Sequence, residues 1–237
     1  MKAKENLIVA LDVGKIDRAM KLIEILSPEI DIFKIGIAPF TDFGNIIVEE
    51  LQKRRKKVFL DLKFHDIPNT VAAAARAAAR KGIYMMNFHC LGGARMLEAA
   101  ARGAKEGCRE TGKNMPILLG VTILTSMEQE DMESVGFKGE VKDRVLDLAR
   151  LAKEAGLDGA VASAKEATAI KQQIGNDFII VTPGVRPRWA QAKDQKRILT
   201  PKEAIGQGAD YIVVGRPIIE DKEPQEAARK ILQEMKE

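Results

Sequence analysis

Charged side chains alternate in one short stretch of the sequence that otherwise has the apolar pattern of a buried strand. VFLDLKFHDIPNT, residues 58–70, places Asp61 and Lys63 two positions apart, and Asp66 follows in the loop before a helix predicted to start near Pro68. Residues two apart on a strand point to the same face of the sheet. An isolated Asp-x-Lys pair is more often an ordinary salt bridge than a functional site, so the pair needs support from elsewhere.

That support comes from Lys34, which lies in FKIG at 33–36, in the neighbouring predicted strand. Lys34 adds a second cation to Lys63 and to the two carboxylates Asp61 and Asp66. An alternating array of this kind is costly to remove from water unless every charge is paired. Clustered ionisable groups in a cleft are typical of functional sites. The array therefore favours a catalytic role over a structural salt bridge.

A second chemical signal lies in DYIVVGRPI, residues 210–218, where an apolar strand delivers Gly215 and Arg216 into a loop. A glycine lets a phosphate approach the backbone closely, and an arginine can contact the phosphate with two N–H groups. Gly-Arg-Pro alone is weak evidence. A polar stretch of about 14 residues beginning at Arg186 and containing Gln195 supports it, since long aperiodic loops are usually lids or binding loops. We therefore expect a phosphate group on the ligand.

These residues follow short β-branched runs that alternate with longer stretches rich in Ala, Leu, Lys and Glu, the pattern of repeated βα units. The predicted strands are 7–11, 32–37, 58–62, 83–88, 117–121, 159–162, 178–181 and 211–214. The predicted helices are 17–26, 40–53, 70–80, 95–110, 141–154, 165–173, 201–207 and 225–236. Eight units of about 30 residues without a composition break predict one α/β domain over 1–237, a closed (β/α)8 TIM barrel.

A doubly wound open sheet is the alternative architecture. No GxGxxG follows the first predicted strand, where a dinucleotide-binding fold would place it, and this disfavours the open sheet. In a closed barrel the chemistry lies at the carboxyl ends of the strands, which is where the charged array and Gly215-Arg216 are predicted to be.

Composition excludes several classes of protein. The 237 residues are 46% hydrophobic and 30% charged, with a net charge of +4, which suits a folded chain with a sizeable core. No apolar run is long enough for a membrane span, and the N-terminal residues lack a signal-peptide pattern. Cys90 and Cys108 are too few for a disulfide framework or zinc site, so we expect a cytoplasmic protein. The basic run KRRKK at 53–57 has no interleaved aromatics, which disfavours nucleic-acid binding.

With these residues in view, the sequence closely resembles the orotidine 5'-phosphate decarboxylase family over essentially its whole length. The matching motifs are LDV at 11–13, FKIG at 33–36, DLKFHDIPNT at 61–70, LTSM at 124–127, TPGVRP at 182–187, DQKR at 194–197 and VGRPI at 214–218. The resemblance implies a homodimer of (β/α)8 barrels that needs neither a metal nor an organic cofactor. It also implies conversion of orotidine 5'-phosphate to UMP and carbon dioxide, the last step of UMP biosynthesis.

The resemblance implies a catalytic role for each member of the charged array. Asp61 resembles the carboxylate set against the substrate carboxylate, and Lys63 resembles the general acid that protonates C6. Lys34 and Asp66 complete the array, and Asp66 is expected to come from the partner subunit.

Substrate-binding roles are implied in the same way. Asp12 and Lys34 resemble the ribose-hydroxyl contacts, joined by Thr70 of the partner subunit. Thr125 lies where the family contacts the amide edge of the pyrimidine. The remaining positions are Gln195, which resembles a residue bridging pyrimidine and phosphate, Gly215 with Arg216 at the phosphate, and Arg186, which matches a binding position whose partner atom is open.

Two other functions stay open at this point. Magnesium-dependent sugar-phosphate enzymes of the same suprafamily share Asp-x-Lys-x-x-Asp, but they resemble each other in having an acidic metal ligand where this chain has Lys34. A non-catalytic nucleotide- or nucleic-acid-binding barrel would keep Gly215-Arg216 without needing Lys63. Outside the array, His65 is interpreted as a loop histidine and His89 as a supporting group at a strand end.

Overall fold

A computed structural model of the chain describes residues 3–190 and 199–236. Eight parallel strands follow one another in the order β1 to β8 and close into a barrel, with helices between the strands. The strands are β1 Leu7–Ala10, β2 Ile32–Gly36, β3 Lys57–Phe64, β4 Met85–His89, β5 Ile117–Val121, β6 Gly159–Val161, β7 Ile179–Thr182 and β8 Tyr211–Val214. The predicted (β/α)8 barrel is thus confirmed.

Eleven α-helices lie within the described residues. They are α1 Ile16–Leu26, α2 Ile37–Phe43, α3 Asn45–Lys53, α4 Pro68–Arg80, α5 Ala94–Thr111, α6 Gln129–Ser134, α7 Val141–Glu154, α8 Ala164–Ile174, α9 Pro201–Gly206, α10 Arg216–Ile219 and α11 Pro224–Glu234. The helix predicted over 40–53 is divided into α2 and α3 at Gly44, whose φ of 57° and ψ of −134° interrupt the helical backbone. None of the described helices is long and apolar enough to cross a membrane.

The chain divides into two compact units, and the prediction of a single domain over residues 1–237 stays a prediction. The first unit comprises 1–62 and 182–237. Within it β1 pairs in parallel with β2 and β8, and β2 pairs with β3. Fully buried Ile8, Phe33 and Phe59 form part of its core. The helices α1 and α11 pack together on the outside of these strands.

The second unit comprises residues 63–181 and contains the parallel pairs β4–β5, β5–β6 and β6–β7. Its most extensive helix contact joins α4 to α5. Gly103 and Gly107 of α5 lie against the backbone carbonyls of Ala72 and Arg76, and a Cβ atom at either glycine would overlap these oxygens. Because both positions are glycines, α4 and α5 approach each other more closely than side chains at these positions would allow.

Candidate active site

Three charged residues of the first unit form a single ion cluster. The Lys34 Nζ atom lies 3.2 Å from an Asp61 carboxylate oxygen and 3.3 Å from an Asp12 oxygen. The side chains of Lys34 and Asp61 are only 11% and 13% exposed, whereas that of Asp12 is 54% exposed. One ammonium group therefore neutralises a buried carboxylate on one side and an accessible carboxylate on the other. We call these three residues the inner cluster.

Strand register explains why the inner cluster forms. Ala10 of β1 pairs with Lys34 of β2, and Gly36 of β2 pairs with Asp61 of β3. Asp12 follows β1 by two residues, so all three charged groups lie toward the carboxyl ends of adjacent strands. A Cβ atom at Gly36 would lie 3.0 Å from the Lys34 Nζ and 3.1 Å from an Asp12 oxygen. The glycine of FKIG therefore leaves room for the ion pairs, a role that sequence reasoning missed.

The expected phosphate residues Gly215 and Arg216 follow β8 directly, in the same unit. Gly215 caps the short helix α10, and its carbonyl accepts hydrogen bonds from the N–H groups of Ile218 and Ile219 at 2.8 and 3.1 Å. Arg216 is exposed and has no ion pair with any residue in the described part of the chain. A cation in this state is accessible to an anionic ligand.

Two other predicted binding residues lie on the segment after β7. The N–H of Arg186 donates a hydrogen bond to the carbonyl of Leu199 at 3.2 Å, so the two ends of this segment are joined. The Arg186 side chain is half-buried. Gln195 lies outside the described residues, and its expected contact with the substrate stays a prediction.

In the second unit, Lys63 has an unusual backbone conformation. Its φ of 50° lies in the left-handed region, which residues other than glycine rarely adopt. The argument that Asp61 and Lys63 share a face assumed an extended strand, and at Lys63 the backbone departs from that geometry. The Lys63 N–H donates a 2.8 Å hydrogen bond to the Oδ1 atom of Asn87, which is completely buried in β4. Asn87 was missed from the sequence, although it is the polar residue within the apolar run YMMNF.

The other predicted residues of this unit lie on exposed loops and a helix start. Asp66 is exposed, and its carboxylate accepts a 2.6 Å hydrogen bond from the N–H of Ile67. Thr70 is exposed in the first turn of α4, and Thr125 is exposed in the turn that follows β5. The Ile67 side chain, between Asp66 and α4, is 66% exposed. Asp66 and Thr70 are thus both accessible to solvent.

The two histidines of the chain stack on each other beside this loop. The ring centroids of His65 and His89 are 5.4 Å apart with an interplanar angle of 24°. Partial burial lowers the pKa of His89 below its ordinary value of 6.5, and electrostatic interactions with the neighbouring His65 and Lys63 lower the pKa further. His89 ends β4, as predicted, and its Nδ1 accepts a 3.4 Å hydrogen bond from the N–H of Leu91. A neutral His89 is therefore favoured in the folded protein.

The two cysteines of the chain are shielded from solvent. Cys90 and Cys108 are buried free thiols, and burial raises the pKa of Cys90 to about 12. Among residues 3–190 and 199–236, no group of three or more His, Cys, Asp or Glu side chains is arranged to hold a metal ion.

Comparison with known proteins points to one family. Residues 5–231 match the model of the Orotidine 5'-phosphate decarboxylase / HUMPS family. The chain is 47% identical to the orotidine 5'-phosphate decarboxylase of Moorella thermoacetica, over 99% of this chain and 94% of that protein. It is also 47% identical to the orotidine 5'-phosphate decarboxylase of Legionella pneumophila (strain Corby), over 97% of this chain and 99% of that protein.

Solved structures agree with the sequence comparisons. The crystal structure of orotidine 5'-phosphate decarboxylase from Lactobacillus acidophilus superposes with a TM-score of 0.86 at 36% identity, covering 98% of this chain and 99% of that chain. An uncharacterized conserved protein from Geobacillus kaustophilus superposes with a TM-score of 0.85 at 35% identity, covering 97% and 99% of the two chains.

Proposed function

The chain belongs to the orotidine 5'-phosphate decarboxylase / HUMPS family, and we propose that it converts orotidine 5'-phosphate to UMP and carbon dioxide. The observation that carries this proposal is the inner cluster. Its Lys34 ammonium lies within 3.3 Å of both Asp12 and Asp61, at the position where magnesium-dependent relatives resemble each other in carrying an acidic ligand. A fixed cation there would repel a divalent metal. The cluster therefore favours a decarboxylase that uses neither a metal nor an organic cofactor.

The difficult step is the loss of carbon dioxide from C6. The C6–carboxylate bond breaks, and its electron pair remains in an sp2 orbital that the pyrimidine ring cannot delocalise. The protein must stabilise this charge electrostatically. In the proposed mechanism the ammonium of Lys63 faces C6, stabilises the carbanion and then transfers a proton to it. UMP leaves with the new C6–H bond.

Asp61 has a complementary role in the proposal. Its carboxylate lies beside the departing carboxylate of the substrate, and the repulsion between them eases as neutral carbon dioxide forms. The Lys34 contact at 3.2 Å holds Asp61 in place. Lys34 and the accessible Asp12 also bind the ribose hydroxyls.

The rest of the substrate is bound away from the reacting bond. Gly215 and Arg216 hold the phosphate, and the exposed, unpaired state of Arg216 among the described residues supports this assignment. Thr125 contacts the amide edge of the pyrimidine. Gln195 bridges the pyrimidine and the phosphate, and Arg186 contributes a further binding contact. Binding energy from the phosphate can keep the charged site assembled during the reaction.

We further propose that the enzyme is a cytoplasmic homodimer whose sites are shared between subunits. Asp66 and Thr70 enter the partner's site, where Asp66 completes the charged array and Thr70 contacts the ribose. The exposure of both residues, together with the 66% exposed Ile67 between them, supports a contact surface here. A twofold interface would place these residues of each subunit in the other subunit's site.

The proposed activity is tested by following the absorbance of orotidine 5'-phosphate with purified protein in excess chelator. We expect full turnover without added metal. Activity that disappears with chelator and returns with magnesium would contradict the proposal. The Lys63→Ala variant is the matched control: it should lose turnover but still bind UMP, whereas a non-catalytic nucleotide-binding protein would show no turnover in either form.

The shared site is tested by mixing inactive Lys63→Ala protein with inactive Asp66→Ala protein and allowing the subunits to exchange. In each mixed dimer one site receives both lesions and the other receives neither. Random mixing makes about half of the dimers mixed, so roughly a quarter of all sites regain wild-type composition. No recovery after demonstrated exchange would mean that Asp66 serves its own chain.

A further inference from the structure

The last three residues of β4 each contact one of three consecutive residues, namely Lys63 and Phe64, which end β3, and His65, which follows β3. Asn87 accepts the hydrogen bond from the N–H of Lys63 at 2.8 Å. The rings of Phe88 and Phe64 have centroids 5.8 Å apart. The rings of His89 and His65 stack at 5.4 Å. We call this three-step contact the β4 clasp.

The β4 clasp begins at a residue with an unfavourable backbone conformation. Lys63 has a φ of 50°, a conformation that L side chains avoid because Cβ comes too close to the backbone. Such a conformation persists where the surrounding structure over-determines it, and it is concentrated at functional sites. The contacts on Phe64 and His65 fix the chain after Lys63, and the hydrogen bond to Asn87 fixes the N–H of Lys63 itself. The acceptor of this hydrogen bond lies inside the protein, because Asn87 is completely buried.

The direction of the Lys63 side chain follows from its backbone angles, since φ sets where Cβ lies relative to the flanking peptides. If Lys63 relaxed to a negative φ, its side chain would leave Cα in a different direction. Misplacing a reacting group by about 1 Å can lower the rate about a hundredfold. From this geometry we infer that Asn87 is a positioning residue, whose carbonyl oxygen holds the Lys63 backbone in the conformation that directs the ammonium to C6.

This inference rests on the proposed role of Lys63 and adds a requirement to it. The acceptor at position 87 should be needed for the chemical step but not for nucleotide binding. A purely structural role for Asn87 would instead weaken folding, binding and turnover together. The two cases are separable by measuring kcat, KM and UMP affinity on the same variants.

The experiment compares Asn87→Leu, which keeps the branched shape and the number of side-chain heavy atoms but removes the acceptor, with Asn87→Asp, which keeps an acceptor oxygen. Thr122→Val is the matched control: Thr122 is also completely buried at a strand end of this unit, and its hydroxyl donates a 3.1 Å hydrogen bond to the carbonyl of Val161. Should Asn87→Leu fail to fold, Asn87→Ala takes its place.

We expect Asn87→Leu to lower kcat about ten- to a hundredfold while KM and the UMP dissociation constant change less than about threefold. Asn87→Asp should recover most of the loss, and Thr122→Val should stay within about twofold of the wild type. Wild-type kcat in Asn87→Leu, or parallel losses of kcat and UMP affinity, would overturn the inference. A wild-type protein without decarboxylase activity would refute the proposed function instead, so the two failures are distinguishable.

Discussion

Two of the ion clusters among the described residues have the same arrangement and opposite surroundings. In the inner cluster, Lys34 bridges Asp12 and Asp61, and the Lys34 and Asp61 side chains are 11% and 13% exposed. On the helix pair α4–α5, Glu110 bridges Arg76 and Arg80, and these three side chains are between 33% and 49% exposed. We call the second set the outer cluster. In both sets one central charge is shared between two opposite charges.

The two clusters differ in how far water reaches their charged groups. At the effective dielectric constant of about 20 that applies even to buried sites in proteins, a charge pair interacts roughly four times as strongly as in bulk water. Water and salt screen the outer cluster, and exposed pairs of this kind contribute little to stability. Breaking a buried pair leaves a charge without compensation. The comparison teaches that one arrangement of charges lies in water in the outer cluster, whereas in the inner cluster Lys34 and Asp61 are largely removed from water.

The largest expected effect is on turnover when the central charge of the inner cluster is removed. Lys34→Met keeps the length of the side chain but leaves Asp12 and Asp61 without their shared cation. We expect kcat for orotidine 5'-phosphate to fall at least about a hundredfold, because Asp61 loses the contact that orients it. Removal of the central charge of the outer cluster by Glu110→Gln should leave kcat unchanged. Comparable losses in the two variants would remove the distinction between the clusters.

The next largest effect is expected on ligand binding when Arg216 is removed, an exposed cation that has no carboxylate partner among the described residues. Arg216→Ala should weaken UMP binding by about ten- to a hundredfold, the equivalent of roughly 1.5–3 kcal/mol for one charge-assisted contact. Uridine, which lacks the phosphate, should bind almost as before. Arg80→Ala, which removes an exposed arginine of the outer cluster, is the control and should affect neither ligand. Equal losses for UMP and uridine would show that Arg216 acts on the fold.

A smaller effect is expected from the half-buried His89. Its pKa in the folded protein lies below 6.5, so the unfolded chain takes up a proton first as the pH falls. His89 therefore contributes stability that is present above about pH 6.5 and is lost as the pH falls below that value. Urea unfolding at pH 7.5, 6.5 and 5.5 should show a steeper loss for the wild type than for His89→Asn. Parallel curves would mean that His89 is not the titrating group.

The smallest effect is expected in the outer cluster itself. Arg76 lowers the pKa of Glu110 through a hydrogen bond, so the cluster stabilises the fold above the ordinary Glu pKa and loses this effect in acid. In Glu110→Gln at neutral pH the Tm should fall by no more than about 2 °C at low salt, and the difference should vanish in concentrated salt. A large loss that persists in salt would indicate that the outer cluster behaves like a buried one.

Much of this architecture is predictable from the sequence, because apolar runs of strand length alternate with amphipathic stretches. The bounds of β5 and β8 are those predicted, since each apolar run is flanked by residues that interrupt it, Pro116 and Thr122 in one case and Asp210 and Gly215 in the other. The contact between Lys34 and Asp61 is also as expected for neighbouring strands. The split at Gly44 was not predicted, because an isolated glycine within a helical pattern is compatible with a continuous helix.

Two features of the candidate site could not be predicted from local patterns. The left-handed backbone of Lys63 depends on contacts from another strand, and strand periodicity assumes an extended chain. The role of Asn87 depends on the same tertiary contact, since a polar residue in an apolar strand can have many partners. The catalytic and binding roles of the predicted residues stay predictions until the variants are measured.

The packing of α4 against α5 has a consequence for how much each helix can vary. The stretch VAAAARAAAR in α4 has low complexity and would be taken as permissive, yet Thr70 at the start of this helix belongs to the proposed shared site. Its position depends on Gly103 and Gly107, whose missing side chains admit the α4 backbone. In a random library, α4 should therefore tolerate many substitutions on its exposed face, while both glycines tolerate almost none. The close packing of this helix pair therefore depends most strongly on two positions that have no side chain.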